Sequence, residues 1–349
     1  MKNVLFVGWV NQGRAPIDGE TAKNQHIIAE LKKYCHITVL DFYKKNKHPW
    51  IYLQAIWAFI IKPHATIVLS TSAKNVYPIL KLFKKFHFKR DILHWVIGGK
   101  FGENVLSGKY GADVFNYVKC NLVESPKMID ELQQAGVTNA RYVPNFKTMH
   151  YFPDFAKAIA TRKECPKTRF IFLSRIRPDK GCDYIIEAAK MLNEKGLQEK
   201  FTIDFYGKID NSYEDSFQKS LNELPNVKYC GFLDLTQKEG YDILANYHAL
   251  LFPTFWRGEG FAGIFIDAFI AGVPVLASDW MHNAEIIKDK ELGIIYQVHN
   301  VDALMQVMQS SINGDIDLYN LAKNSRQEAS KFDVQKVISK ELLNSIGLA

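Results

Sequence analysis

The stretch PTFWRGEGFAGIFIDAFIAGVPVLASD, Pro253 to Asp279, decides how this chain is read. Gly258, Gly260 and Gly263 stand in G-x-G-x-x-G spacing, after the apolar run ALLFPT and before a segment of helical pattern. Asp279 closes the next apolar run, about where a dinucleotide-binding unit places its ribose-binding carboxylate. Two features oppose that reading. A dinucleotide fingerprint opens the first βαβ unit of its domain, whereas the first turn here, GWVNQGRAPIDGE, lacks the motif and the match comes late in the chain. Glu259 also sits between two of the glycines, where it would crowd a pyrophosphate with like charge.

Glu259 and Asp267 flank the start of the expected helix FAGIFIDAFIAG. Eight residues at 1.5 Å each put them up to about 12 Å apart if helical. The two carboxyls of a glycosidase stand only about 5–9.5 Å apart, so this spacing is too wide for acid–base work on one bond. It suits a grip on two parts of an extended ligand, with the free N–H groups of the helix start facing an anion between them. A sugar hydroxyl at one end, a diphosphate in the middle and a ribose at the other describe a nucleotide-sugar.

Strand and helix patterns alternate on both sides of this segment. NVLFVG, HITVLD, ATIVLS, ILHWVI and CNLVES read as strands in the first half, with helical stretches such as AKNQHIIAELKKY between them. Pro144 to Thr168, with three prolines and mixed charge, reads as a linker. RFIFLSR, FTIDFYG, NVKYCGF, ALLFP, PVLAS and GIIYQV follow as a second series, with a helix at CDYIIEAAKMLNEKG. Such alternation predicts an α/β fold of two Rossmann-like parallel-sheet domains facing a central cleft. The expected division is a first domain over 1–150 and a second over 151–332, with a C-terminal helix over 333–349 packing back on the first.

The motifs now carry a family resemblance. EGF-x5-D followed by AF-x-AG-x-PV-x-ASD resembles the E-x7-E region of glycosyltransferase family 4, retaining enzymes of the GT-B fold, with Asp267 in place of the second Glu. PTFWRGEGFAGIFIDAF is similar to the branch that builds bacterial capsule, exopolysaccharide and O-antigen chains, lipopolysaccharide among them. The resemblance implies that Glu259 contacts the donor sugar, Asp267 the ribose, and Gly260, Phe261 and Ala262 the donor between them. FLSRIRPDKG resembles the family's F-x-GR-x4-KG segment, with Ser174 where Gly is usual; Arg175 and Lys180 then take the places of the pair that binds the donor diphosphate. Fixed cations there would stabilise the charge of a departing nucleoside diphosphate. PIDGETAKN, Pro16 to Asn24, is similar to the family's glycine loop and brings Gly19 and Lys23 among the substrate-binding residues, with Asp18 or Glu20 replacing a usual glycine. HWVIGGK brings His94, Gly98 and Gly99, as the segment with the family's cleft-facing histidine, and ARYVPNF ends where the family's PN motif marks the domain junction.

No His/Cys/Asp/Glu cluster has metal-ligand spacing, so no metal and no cofactor beyond the nucleotide-sugar substrate is expected. Asp315-Ile-Asp317 has the D-x-D spacing of metal-dependent GT-A enzymes but reads as a helix N-cap. The five cysteines are odd in number and lack a C-x-x-C pair, which suggests buried thiols in a reducing compartment. The longest apolar run, Trp50 to Ile61, has 12 residues, and a bilayer needs about 20.

Residues 1–150 hold 21 Lys and Arg against 10 Asp and Glu, a charge of +11, and the remainder carries −4. Residues 42–90 contain ten cationic residues and no acid. PILKLFKKFHFKRD sets Ile79, Leu82, Phe83 and Phe86 on one helix face among Lys81, Lys84, Lys85 and Lys89. That pattern fits an ordinary core-packing helix with a solvated face, or a surface resting on anionic lipid where a lipid-linked acceptor is presented. No nucleic-acid recognition motif accompanies it. With these features, the family resemblance implies a cytoplasmic hexosyltransferase, metal-independent and peripheral to a membrane, acting on a glycan or polyprenyl-diphosphate-linked acceptor in polysaccharide biosynthesis. Two alternatives stay open: a sugar-nucleotide epimerase of the same fold, which would turn over donor without acceptor, and a catalytically silent glycan-binding subunit, which would bind no nucleotide.

Overall fold

Among the described residues, twelve strands form two six-stranded sheets in which every pairing is parallel. The computed structural model describes residues 1–349 apart from Lys44, Asn46 and Lys47, so those two lysines of the basic run lie outside the described residues. The chain divides into two compact units: Met1–Thr148 with Gly258–Ala262 and Lys331–Ala349, and Met149–Arg257 with Gly263–Ser330. The segment Gly258–Ala262, internal to the second series in sequence, thus groups with the first unit.

The first unit holds β1 (Lys2–Gly8), β2 (Cys35–Asp41), β3 (Thr66–Thr71), β4 (Ile92–Val96), β5 (Cys120–Val123) and β6 (Ala140–Tyr142), in the order β2-β1-β3-β4-β5-β6. β3, β4 and β5 are buried along their whole length, which is why they read as continuous apolar runs in the sequence. Helices α1 (Gly19–Leu31), α2 (Ile51–Ile61) and α3 (Ala73–Lys85) supply the crossovers from β1 to β2, β2 to β3 and β3 to β4. Asp18 starts α1 with a reciprocal capping box with Thr21. The chain ends on this unit's core, where Val334, Ile338, Leu343, Ile346 and Leu348 pack with Val4, Phe6 and Leu31. That segment is two short helices, Val334–Val337 and Lys340–Ile346, where one was expected; Ser339 breaks the run by capping the second.

The second unit holds β7 (Thr168–Leu173), β8 (Phe201–Tyr206), β9 (Val227–Tyr229), β10 (Ala249–Phe252), β11 (Val275–Ser278) and β12 (Gly293–Tyr296), ordered β12-β11-β10-β7-β8-β9. The helix Gly263–Ala271 is apolar on every side except at Asp267 and buried from Phe265 onward, so it lies inside this unit. Asp317 caps the helix Leu318–Glu328 by accepting from the Asn320 N–H at 3.0 Å.

Two further expectations are corrected. The linker over Pro144 to Thr168 contains a helix, Phe155–Glu164, capped by Asp154. Its Arg162 is buried and donates to the carbonyls of Ala245 and Gly272, both at 2.8 Å, and of Ala271 at 3.3 Å. The stripe Ile79, Leu82 and Phe86 does not face the core: α3 buries Ala73, Val76 and Leu80 and leaves those three exposed. Phe83 alone of the four is partly covered, against Phe59 and Phe88.

Arg162→Met leaves three carbonyls without their donor in a dry setting, and each orphaned group costs about 1–3 kcal/mol. We expect a cooperative loss on the order of 3 kcal/mol or more in denaturant melts. Arg162→Lys should fail to restore it, because one ammonium cannot span the three acceptors. An unchanged midpoint in either variant would refute this account.

Candidate functional site

In the second sheet the strand order reverses between β7 and β10, the kind of switch point at whose carboxyl edge open α/β sheets bind ligands. The loop after β7 carries Arg175 and Lys180, and the loop after β10 begins at Pro253. The two loops meet. Phe255 donates its N–H to the Asp179 carbonyl at 2.9 Å, and the Lys180 ammonium lies 4.4 Å from the centre of the Trp256 ring. Gly181 turns the chain into the helix Cys182–Glu194 at φ +79°, and a Cβ there would stand 2.3 Å from the Pro253 carbonyl. Only glycine allows that approach. Arg177 is committed to Asp179 within the same loop, while Arg175 is exposed and Lys180 largely buried.

Asp267 lies in the second turn of the helix Gly263–Ala271, buried, with Oδ1 accepting from the Tyr241 hydroxyl at 2.7 Å. Burial, and after it the Asp267 charge, hold the Tyr241 hydroxyl protonated far above its ordinary range. Tyr241, from the helix Lys238–Leu244, has no signal in the motif because its tie to Asp267 is tertiary. Asp279, the residue that invited a dinucleotide reading, accepts from the Val298 N–H at 2.6 Å and so fixes the turn after β12.

The other expected residues belong to the first unit. Glu259, Phe261 and Ala262 are buried and Gly260 partly so. Phe261 donates its N–H to Glu124 Oε2 at 3.4 Å, and its carbonyl accepts from Asn145 Nδ2 at 2.8 Å. Gly98, at φ +97°, lies close by, its Cβ position 3.9 Å from the Gly258 carbonyl, and Gly99 is buried beside it in sequence. Gly19 is exposed at the start of α1. Lys23, expected to face substrate, is instead enclosed in an ion pair with Glu124.

His94 is also corrected. It sits within β4, fully buried, with Nδ1 3.1 Å from Asn121 Oδ1, Nε2 3.3 Å from the Thr71 carbonyl and its ring against Phe101 and Phe115. Burial pushes its pKa down to about 4, so the ring is neutral and serves the core. Among the described residues, no group of three or more His, Cys, Asp or Glu could hold a metal ion.

Residues 156–329, about half of the chain, match the family model described as Glycosyl transferases group 1. The chain belongs to that family. Among curated relatives it is 25% identical over 219 residues to a poly(ribitol-phosphate) alpha-N-acetylglucosaminyltransferase of Staphylococcus aureus (strain COL), covering 61% of this chain and 41% of that one. It is 23% identical to the capsular polysaccharide biosynthesis glycosyltransferase CapM of Staphylococcus aureus (49% and 43% covered). The same identity links it to a UDP-Gal:alpha-D-GlcNAc-diphosphoundecaprenol alpha-1,3-galactosyltransferase of Escherichia coli (49% and 43%). The matches span less than half the length of each of these relatives. Among solved structures, sucrose-phosphate synthase from Thermosynechococcus elongatus aligns with TM-score 0.77 at 14% identity over 100% of this chain and 99% of that one. Anabaena Alr3699/HepE in complex with UDP aligns with TM-score 0.74 at 14% identity over the whole of both chains. These likenesses show the fold, which is GT-B.

Sequence reasoning passed over Glu20 except as a replaced glycine. The strand order of the first sheet reverses between β1 and β3, and Glu20 lies in the first turn of α1, the helix that follows β1. Burial drives its carboxyl up to about 7, Asp18 adds to the rise, and Thr71 and Lys23 oppose it. A raised folded-state value means that stability is fully present below the unfolded value near 4.5 and is lost as pH climbs through about 7. Glu20→Gln, which mimics the protonated form, should therefore melt higher than the unaltered chain at pH 8 and close to it at pH 4.5. Equal melting points at pH 8 would disprove the shift.

Proposed function

We propose that this chain is a retaining hexosyltransferase of family 4 type that moves a sugar from a nucleotide donor to a glycan or polyprenyl-diphosphate-linked acceptor in surface polysaccharide assembly. The observation that carries the reading is the meeting of the Arg175–Lys180 loop with the loop after β10 at the switch point of the second sheet. A leaving nucleoside diphosphate gathers charge as the glycosidic bond breaks, and fixed cations in a partly dry setting stabilise that charge. Arg175 and Lys180 are assigned this role, Asp267 the ribose and Glu259 the donor sugar. No separate base is assigned: in a retaining transfer the departing phosphate oxygen takes the acceptor proton. The curated relatives named above act, by their names, on poly(ribitol-phosphate) and on a diphosphoundecaprenol-linked sugar, and Alr3699/HepE was crystallised with UDP, so uridine donors and lipid-linked acceptors are the first to test.

A stabilisation screen across UDP, GDP, ADP, CMP and their sugars identifies the donor, because a ligand that binds only the folded state raises the melting point. Glu259→Ala should abolish most turnover and leave affinity for the free nucleoside diphosphate nearly intact, whereas Asp267→Ala should weaken that affinity. Arg175→Ala and Lys180→Ala should each cost about 1.5–3 kcal/mol in diphosphate binding, with little effect on the nucleoside. Chelator should change none of these values. Matching kinetic profiles for the two acid variants, or a strict divalent-ion requirement, would overturn the assignment.

The reading places this enzyme in the cytoplasm, on the inner face of a membrane. Among the described residues, no helix is long and apolar enough to cross one. Yet α2 buries only Ile51, Ala55 and Ala58, while Leu53, Ile56, Trp57 and Ile60 are 69%, 56%, 63% and 64% exposed. Those four fall at i, i+3, i+4 and i+7, one continuous apolar face. Arg90 fixes the end of this helix by donating to the carbonyls of Lys62 at 2.6 Å and Ala65 at 2.8 Å. Exposed Lys81, Lys85 and Lys89 stand on and just beyond α3, which contacts α2 through Phe59 and Phe83. Each such cation near anionic lipid is worth about 1 kcal/mol, and buried aromatic and aliphatic groups add to it. The chain should co-sediment with anionic vesicles, less so at high salt, and Leu53→Gln with Trp57→Gln should abolish this without lowering the melting point. Lys81, Lys85 and Lys89 changed together to Glu should act alike; Lys84 is left in place because it pairs with Asp113. Equal binding to neutral vesicles, or self-association through α2 with no lipid binding, would sink the membrane reading.

A further inference from the structure

The loop that carries Glu259 has no regular structure of its own, and glycines flank the acid on both sides. Such a segment loses more conformational entropy on ordering than any other, while a group addressing a reacting sugar must be held to within about 0.5 Å. Something outside the loop must supply that order. Lys23 and Glu124 are 4% and 5% exposed, and they form a buried ion pair in which Glu124 Oε1 accepts from the Lys23 ammonium. Lys23 Nζ also lies 3.5 Å from the Val96 carbonyl and 5.8 Å from the centre of the Phe146 ring. The second oxygen of Glu124 faces the loop, where the Phe261 N–H donates to it. Asn145 holds the Phe261 carbonyl, so both backbone polar groups of that residue are taken by side chains of the first unit. The Phe261 ring packs edge-on against Phe332, 5.2 Å between centres. A Cβ on Gly260 would stand 2.8 Å from Glu124 Oε2 and 3.3 Å from Gly98 Cα. A side chain at 260 would therefore press on the Glu124 carboxylate in the position where Lys23 holds it.

We propose that Glu124, anchored by Lys23 and seconded by Asn145, is a positioning residue that clamps Gly258–Ala262 and thereby sets the carboxylate of Glu259. The proposal rests on the donor-sugar role assigned to Glu259 and gives Lys23 a task other than touching substrate. An ion pair suits this task because neither partner can leave the other in a dry interior without a large penalty. A hydrogen bond to a charged acceptor is also stronger than one to a neutral acceptor.

The test uses the full chain and three variants: Glu124→Ala, Lys23→Met with Glu124→Leu, and Gly260→Ala. The double variant replaces the pair by apolar groups of similar size, which preserves folding in many buried pairs, yet it still removes the clamp. In the nucleotide-free protein, amide exchange across 258–262 should rise by about tenfold or more in Glu124→Ala and in the double variant, without a matching rise elsewhere. With the donor found by the stabilisation screen, kcat should fall by about 100-fold, the size expected of an ångström-scale displacement, while affinity for the free nucleoside diphosphate moves less than about twofold. Glu124→Gln, which keeps an acceptor oxygen but loses the charge, should recover part of the loss. Gly260→Ala should reduce kcat in the unaltered chain and much less in Glu124→Ala, the non-additivity of groups in contact. Unchanged exchange in the double variant, or kcat and nucleotide affinity falling together, would overturn the clamp. Faster exchange in a chain that transfers no sugar would uphold the clamp and remove the proposed function instead.

Discussion

Every strand of both sheets runs parallel to its neighbours, and this winding governs where chemistry can sit. A parallel pair needs a crossover, crossovers are right-handed, and so all strands of a sheet deliver their carboxyl ends to one edge. The loops after β7 and β10 are brought together at that edge although about 75 residues separate Asp179 from Thr254. The same rule gathers Gly8, Thr71, Val96 and Glu124 at the carboxyl ends of β1, β3, β4 and β5. Side chains that share no sequence neighbourhood become neighbours because the sheet leaves them no other place.

What the sequence discloses follows from the same physics. Eleven of the twelve strands are legible because buried parallel strands are runs of apolar residues between turn signals. β6 escapes because three half-exposed residues make no pattern. The helix Phe155–Glu164 escapes because prolines flank it and its apolar content is low, while its anchoring residue, Arg162, looks like a surface cation until three carbonyls are seen around it. The stripe on α3 misleads in the opposite direction: its spacing is that of a core-facing helix, yet Val76 and Leu80 take the core. Periodicity reports that a helix has an apolar side, not what that side meets.

Motif spacing locates Glu259, Asp267, Arg175 and Lys180 but says nothing of what holds them. Tyr241 at Asp267, Asn145 and Glu124 at Phe261, and Asp179 at Phe255 are tertiary partners. Charge type is equally ambiguous in a sequence. Lys23 and Lys81 are indistinguishable as letters, yet one is sealed in an ion pair and the other stands in water. His94 resembles a ligand-facing histidine in its motif and is a packed core group in its strand.

Arg162 has a bearing on how the chain can be divided. The carbonyls it satisfies belong to the ends of two helices, Ala245 capping Lys238–Leu244 and Ala271 and Gly272 closing Gly263–Ala271. One guanidinium thus serves as a shared C-terminal cap for the helix that carries Tyr241 and the helix that carries Asp267. The helix that delivers it lies before β7, outside the sheet and within what reads as a connector. A fragment begun at β7 would contain every strand of the second sheet and still be missing the plug for both helix ends. An excised second domain has to start before Asp154, the cap of that helix, and the cut belongs on the far side of a segment that composition alone marks as expendable.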